Sequence, residues 1–320
     1  GGMMQTAQIK SFFKEKQWTY SLIGSIVLWL VIGIVTSRLN IQSLLSNATS
    51  AAFLAIAALG QMYVVSCGRG AIDLSIPGVI TLTAFLSTGI IDGSNANAFH
   101  GILICLAVGA AVGFFNSVSV LFLKIPPLIA TLAMGYILGT ASLVYNEGFN
   151  TFKICPFLTG VAKGRLLGIP WIIIVTICIA FLAWLLLNRT TYGRGLTAVG
   201  QNIEAAHLSG INTNKTQMIA YIISGVCAAL AGIFISARVS GAFLGMGDTY
   251  LLETVGAVVI GGTLIFGGRS TIVGTLFGCM FLVLIVTAMQ VAGLPIGTQN
   301  IVKGALIILV LMVATKKQEQ

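Results

Sequence analysis

Gly101-Ile-Leu-Ile-Cys-Leu-Ala-Val-Gly-Ala-Ala-Val-Gly-Phe-Phe-Asn-Ser-Val-Ser-Val-Leu-Phe-Leu123 carries no charged side chain between His100 and Lys124. A helix needs roughly 20 apolar residues to cross about 30 Å of hydrocarbon, and this stretch is long enough. Residues 22–35 and 169–187 read the same way. A transmembrane β-barrel would instead show short segments of alternating polarity. The rest of the chain agrees. Of its 320 residues 57% are hydrophobic and only 8% charged, against about a quarter charged in an ordinary soluble domain. Its 17 basic and 8 acidic residues are too few to cover a soluble globule of this length. A soluble fold, a disordered chain and a secreted disulfide scaffold are excluded. The fold class is an all-α integral membrane protein.

Apolar runs set against polar breaks predict about ten spans, near residues 19–37, 47–66, 71–91, 99–122, 127–145, 170–188, 216–237, 250–266, 271–291 and 296–314. Ten crossings put both ends on one side. Lys10, Lys14, Lys16, Arg69, Lys124, Arg189, Arg194, Lys215, Arg269, Lys316 and Lys317 then share that side. Arg38, Lys153, Lys163, Arg165 and Arg238 fall on the other, and Lys303 lies within the last span. Cytoplasmic loops collect Lys and Arg, so both ends are expected in the cytoplasm. The same scatter argues against nucleic acid as the reason for the net charge of +9.

Some spans are interrupted. Gly68, Gly70, Pro77 and Gly78 surround the join of the second and third, Pro126 and Pro127 open the fifth, and Gly261, Gly262, Gly267 and Gly268 break the eighth. Irregular backbone at membrane depth survives only where protein or a watery cavity satisfies it, and broken helices point toward a transport path. Close packing through small residues is the alternative. Gly68-Arg69 recurs as Gly268-Arg269, an echo at a spacing of 200 residues.

Residues 188–214 form the longest polar connection on the expected cytoplasmic side. Asn202 suits a helix cap, Glu204 suits the positive helix end that follows, and Gly210 suits the left-handed stop. A helix of about two turns is unstable alone in water, so this one needs neighbours: the bundle on one face and either nothing or a docked partner on the other.

The surrounding residues carry a resemblance. Glu204-Ala205-Ala206 followed by Gly210 resembles the EAA-loop signature of bacterial ABC-importer membrane subunits. Arg189-Thr-Thr-Tyr-Gly-Arg194, Ala198-Val-Gly-Gln-Asn202, Leu208-Ser-Gly-Ile-Asn212, Ile72-Asp-Leu-Ser75, Pro126 with Ile129-Ala-Thr-Leu132, and Ala257-Val-Val-Ile-Gly-Gly-Thr263 resemble the ribose-type (monosaccharide) permease family. The likeness runs from about residue 40 to the C-terminus, with Ala71, Pro77, Ser117 and Leu251 as departures. It implies one permease domain over residues 19–314, flanked by cytoplasmic segments 1–18 and 315–320. Gly1 and Gly2 ahead of Met3 read as an artificial extension. The likeness also implies a bacterial inner-membrane location, a second permease subunit, two cytosolic ATPase domains and an extracytoplasmic substrate-binding protein. Arg194, Asn202, Glu204, Ala205, Ala206 and Gly210 would be the ATPase-coupling residues, the solute a small neutral sugar or a nucleoside-like relative.

No cofactor is expected on this chain. It has no G-x-x-x-x-G-K-[ST] phosphate loop and no Gly-Lys dipeptide, so ATP and Mg would belong to the partner ATPase. His100 and His207 are the only histidines and are read as loop residues. No metal site is expected, and an intramembrane enzyme lacks its usual groups. The six cysteines contain no CxxC and read as small hydrophobes.

Candidate pathway or gate residues are Asp73, Asn116, Thr131, Tyr136, Gln290 and Gln299, with Thr140 beside them. Asp73, with Arg69 as expected partner, either caps the broken third span or gates, and it is the one acid that could support the alternative reading, an ion-coupled secondary transporter or channel. Glu147, Lys153, Asp248 and Glu253 are candidates for receiving the binding protein through surface charge.

Overall fold

The computed structural model describes residues 18–37, 39–148 and 153–316. The expected N-terminal segment up to residue 17 and the chain beyond Lys316 lie outside the described residues, as do Lys10, Lys14, Lys16, Arg38 and Lys317 from the charge argument. The elements are α1 (Trp18–Val35), α2 (Ile41–Ser66), α3 (Ile76–Ile91), α4 (Asn95–Leu121), α5 (Pro127–Glu147), α6 (Pro156–Lys163), β1 (Arg165–Leu166), β2 (Ile169–Pro170), α7 (Trp171–Arg189), α8 (Thr191–Gln201), α9 (Ile203–Leu208), α10 (Thr213–Val239), α11 (Tyr250–Ile260), α12 (Ile272–Val291) and α13 (Ile296–Lys316). Helices α1, α2, α4, α5, α7, α10 and α12 are long and apolar enough to cross a membrane, and α3, α11 and α13 are shorter apolar helices.

Helices α2 and α10 form the centre. Residues 51–66 of α2 are buried without interruption, and α10 packs on α4, α2 and α3. Glycine allows the α4–α10 approach: side chains at Gly109 and Gly113 would overlap the carbonyl oxygens of Gly225 and Tyr221. Small residues four apart let membrane helices meet backbone to backbone in this way. On the other flank α12 packs on α1, α2 and α11, while α7 lies on α2 and α5 on α3. The outer helices keep large apolar side chains exposed, among them Val31, Leu103 and Ile137. Such a surface suits lipid and not water.

Hydrogen bonds and close contacts sort the connections into two ends. The Gly93 amide donates to the Lys153 carbonyl, the Phe157 amide to Asn95 Oδ1, and Lys163 Nζ to Ser240 Oγ. At the opposite ends of α3 and α10, the loops holding Gly68 and Gly267 and the last turn of α8 at Gly200 touch one another. The alternation is the one the apolar pattern predicts.

Three local expectations need correction. The eighth span stops at Ile260, because the chain turns through Gly262, Gly267 and Gly268, all at positive φ. The third begins at Ile76 with Pro77 in its first turn, a place where a missing N–H costs nothing. His100 and His207 lie in α4 and α9, not in loops. The short helix α6 and the β1–β2 hairpin, paired Arg165 to Pro170, were not anticipated; α6 forms because Leu158 and Ala162 bury against the core.

Lys303 Nζ lies 2.8 Å from Glu253 Oε1, and both side chains are under one-fifth exposed. The pair fastens α13 to α11. Removing one member of such a pair leaves an uncompensated charge and costs about 3–5 kcal/mol, whereas replacing both with uncharged groups is often neutral. Lys303→Met alone is therefore expected to lower the thermal midpoint of the detergent-solubilised protein, and Lys303→Met with Glu253→Gln to restore most of it. Equal losses in single and double variants would exclude this account.

Candidate functional site

Three successive caps shape the segment between α7 and α10. Thr190 leaves helical geometry, and its Oγ1 accepts from the Gly193 amide to start α8. Asn202 is extended at φ −159°, and its Oδ1 accepts from the amides of Glu204 and Ala205 at 3.0 and 2.9 Å. Asn212 Oδ1 accepts from the Lys215 amide to start α10. Between the last two caps α9 closes at Gly210, φ +82°, with its amide on the His207 carbonyl and that of Ile211 on Ala206. The predicted cap, helix and stop are thus present, and α8 ahead of them is an element the sequence reading missed.

Only Ala206 of α9 is buried. Glu204, Ala205, His207 and Leu208 face outward, and Leu208 is 86% exposed. Arg69 Nη2 lies 3.8 Å from Glu204 Oε1, both well exposed. An ion pair so placed contributes little to stability, but it corrects the expected partnership of Arg69 with Asp73. Arg194 and Lys215 line a cleft beside α9, between α8 and the start of α10.

Asp73 is 2% exposed. Its Oδ1 accepts from the Ser75 amide at 2.9 Å and from Ser75 Oγ at 2.6 Å, and its Oδ2 accepts from Ser224 Oγ at 2.7 Å. Asn116 Nδ2 donates to Ser75 Oγ, and the Asp73 amide donates to Gln61 Oε1. Thr131 Oγ1 accepts from the Leu74 amide at 3.0 Å and lies 3.2 Å from the Ile72 carbonyl. Four spans, α2, α4, α5 and α10, thereby grip residues 72–75. Asn116 and Thr131, expected along a path, are buried and bonded to residues 72–75. Ser224 and Gln61 are hydrogen-bond partners that the sequence reading missed.

Tyr136 stands elsewhere. It is 72% exposed and lines a groove of about 430 Å³ with Pro77, Thr81, Gly139, Thr140, Leu244, Asp248 and Leu251. Thr81 Oγ1 accepts from the Gly247 amide, tying the loop before α11 to α3. Asp248, expected as a docking residue, is part of this groove. Gln290 is exposed at the end of α12, and Gln299 Nε2 donates to the Leu294 carbonyl; neither lines the groove. Glu147 and Lys153 are exposed, while Glu253, the remaining expected docking residue, is paired with Lys303. Among the described residues no group of three His, Cys, Asp or Glu could hold a metal.

Apolar helices broken at two places, a capped helix projecting at one end and a groove along one side define a polytopic membrane permease. Residues 43–311 match the family described as the branched-chain amino acid transport system permease component. The chain belongs to this family of permeases. It is 34% identical to the ribose import permease of Escherichia coli (strain K12), over 98% of this chain and 99% of that one. It is 33% identical to the galactofuranose transporter permease of the same strain, over 83% of this chain and 78% of that one. An autoinducer 2 import system permease of Photorhabdus laumondii is 29% identical over 91% of this chain and 89% of its own. No solved structure matches.

Proposed function

We propose that this chain is the membrane subunit of an ATP-driven importer for a small neutral, hydroxyl-rich solute. The observation that carries the reading is α9: a capped six-residue helix, seated on the bundle by one alanine, with Leu208 exposed on its outward face. A short helix with an exposed leucine beside an exposed carboxylate is the shape a soluble partner can cup. The partner would be a cytosolic ATPase, since hydrolysis has to come from outside this chain. ATP and Mg would bind there.

The groove along α5 supplies the rest. Tyr136, Thr140 and Asp248 offer sparse hydrogen-bonding groups on apolar walls, which suits weak binding of a neutral solute in transit. A second permease subunit, identical or related, would complete the wall. The end carrying Glu147, Lys153 and the 240–249 loop would receive the binding protein, and the α9 end and both chain ends would face the cytoplasm. The relatives are named as permeases for ribose import, galactofuranose transport and autoinducer 2 import, and a monosaccharide or similar polyol fits the same groups.

The bonds at Asp73 favour a structural carboxylate over an ion carrier, so the secondary-transporter reading receives no support from this acid. The test is affinity isolation of the detergent-extracted protein from its native membrane, followed by identification of the co-purifying chains and reconstitution in liposomes. An ATPase subunit and ATP-dependent sugar uptake are expected. Uptake by the purified chain alone would refute the reading.

A further inference from the structure

Gly200, in the last turn of α8, sits against both broken hairpins. A side chain there would overlap the Ser66 carbonyl oxygen and the Gly268 nitrogen. A Cβ at Gly267 would stand 2.5 Å from Gly68 Cα and 2.9 Å from Gly200 Cα. Three backbones therefore touch with no side chain between them, two residues before the cap of α9. Ser66 and Ser270 hydroxyls bond across the same junction. Backbone packed at such density shifts as a unit instead of compressing.

On the α2–α3 side the junction leads inward. Gly68, Arg69 and Gly70 are all left-handed, at φ +80°, +54° and +71°. Beyond them residues 72–75 are pinned by Gln61, Ser224 and Asn116 as described. The last link is the Leu74 amide on Thr131 Oγ1, which joins this segment to α5 five residues before Tyr136.

We propose that Gly68, Gly200 and Gly267 form the point where movement of α8–α9 enters the bundle, and that segment 68–75 passes it to the groove wall through the Leu74–Thr131 bond. Gly200 and Thr131 are positioning residues in this scheme. The proposal rests on the importer reading. It adds that docking and transmission are separable, because neither residue lies on the outward face of α9.

The experiment uses the assembled complex in nanodiscs, with Gly200→Ala and Thr131→Val each compared with wild type. Three quantities are read: ATPase bound per permease, solute stimulation of ATP hydrolysis, and the nucleotide-dependent change in maleimide labelling of Tyr136→Cys in a Cys178→Ala background. Wild-type-like ATPase binding is expected in both variants, with solute stimulation and the labelling response each reduced about tenfold, a typical coupling between sites. Thr131→Val removes the hydroxyl that accepts from the Leu74 amide and bonds the Ile72 and Pro127 carbonyls with little change of side-chain shape, so it decides the matter if Gly200→Ala fails to assemble. Full stimulation and an intact labelling response in Thr131→Val would overturn the proposal while leaving α9 docking untouched. Failure of wild type to bind any ATPase would overturn the importer reading and this proposal with it.

Discussion

Glu204→Lys is expected to abolish solute-stimulated ATP hydrolysis, and Leu208→Asp to weaken ATPase binding at least thirtyfold. Hot-spot side chains at interfaces contribute about 2 kcal/mol or more, and each 1.4 kcal/mol is roughly a factor of ten in affinity. Glu204 is the second residue of α9, where a carboxylate complements the helix end. Lysine at that position would also stand beside Arg69, replacing a 3.8 Å ion pair with repulsion. Leu208, 86% exposed, would carry a charge into any pocket that cups it. Both side chains face away from the bundle, so the thermal midpoint of the permease alone should move little. Wild-type coupling in Glu204→Lys, or a matching loss of thermal stability, would count against docking through this helix.

Asp73→Ala is expected to lower stability by about 3 kcal/mol or more. It strips acceptors from the Ser75 amide, Ser75 Oγ and Ser224 Oγ at once. Each buried donor left without a partner costs about 1–3 kcal/mol. Asp73→Asn should recover most of this. Its carbonyl oxygen can accept from Ser75 while its amide donates to Ser224 Oγ, which then turns to accept. A thermal denaturation series on Ala, Asn and wild type reads the order directly. Uptake retained in Asn separates bracing from ion carriage; uptake lost in Asn at normal stability would revive ion coupling.

The parts of the molecule that were legible in the sequence are those written locally. Spans such as α4 announce themselves by length and apolarity, and the breaks at Gly68–Gly70 and Gly267–Gly268 by glycine. The cap, helix and stop at Asn202, Glu204 and Gly210 follow from side-chain chemistry within nine residues. Partnerships across the fold were not legible. Ser224 stands 151 residues from Asp73 and looks like any small residue in a packed helix. Arg69 lies four residues from Asp73, yet three left-handed residues in a row turn its side chain toward Glu204 instead. Glu253 reads as a surface acid until α13 brings Lys303 beside it. Helix α8 escaped because Gly193, Gly195 and Gly200 weaken its intrinsic propensity; packing of Leu196 and Val199 holds it. The same glycines permit the contacts at its end.

The groove beside Tyr136 has walls from α3, α5, the loop at 244–248 and the start of α11, and its remaining side is the outer surface of the molecule. A solitary copy in a bilayer would therefore offer lipid, not a sealed conduit, along that face. On the importer reading, solute passage would begin only on assembly, and surplus unassembled copies would leave the membrane tight.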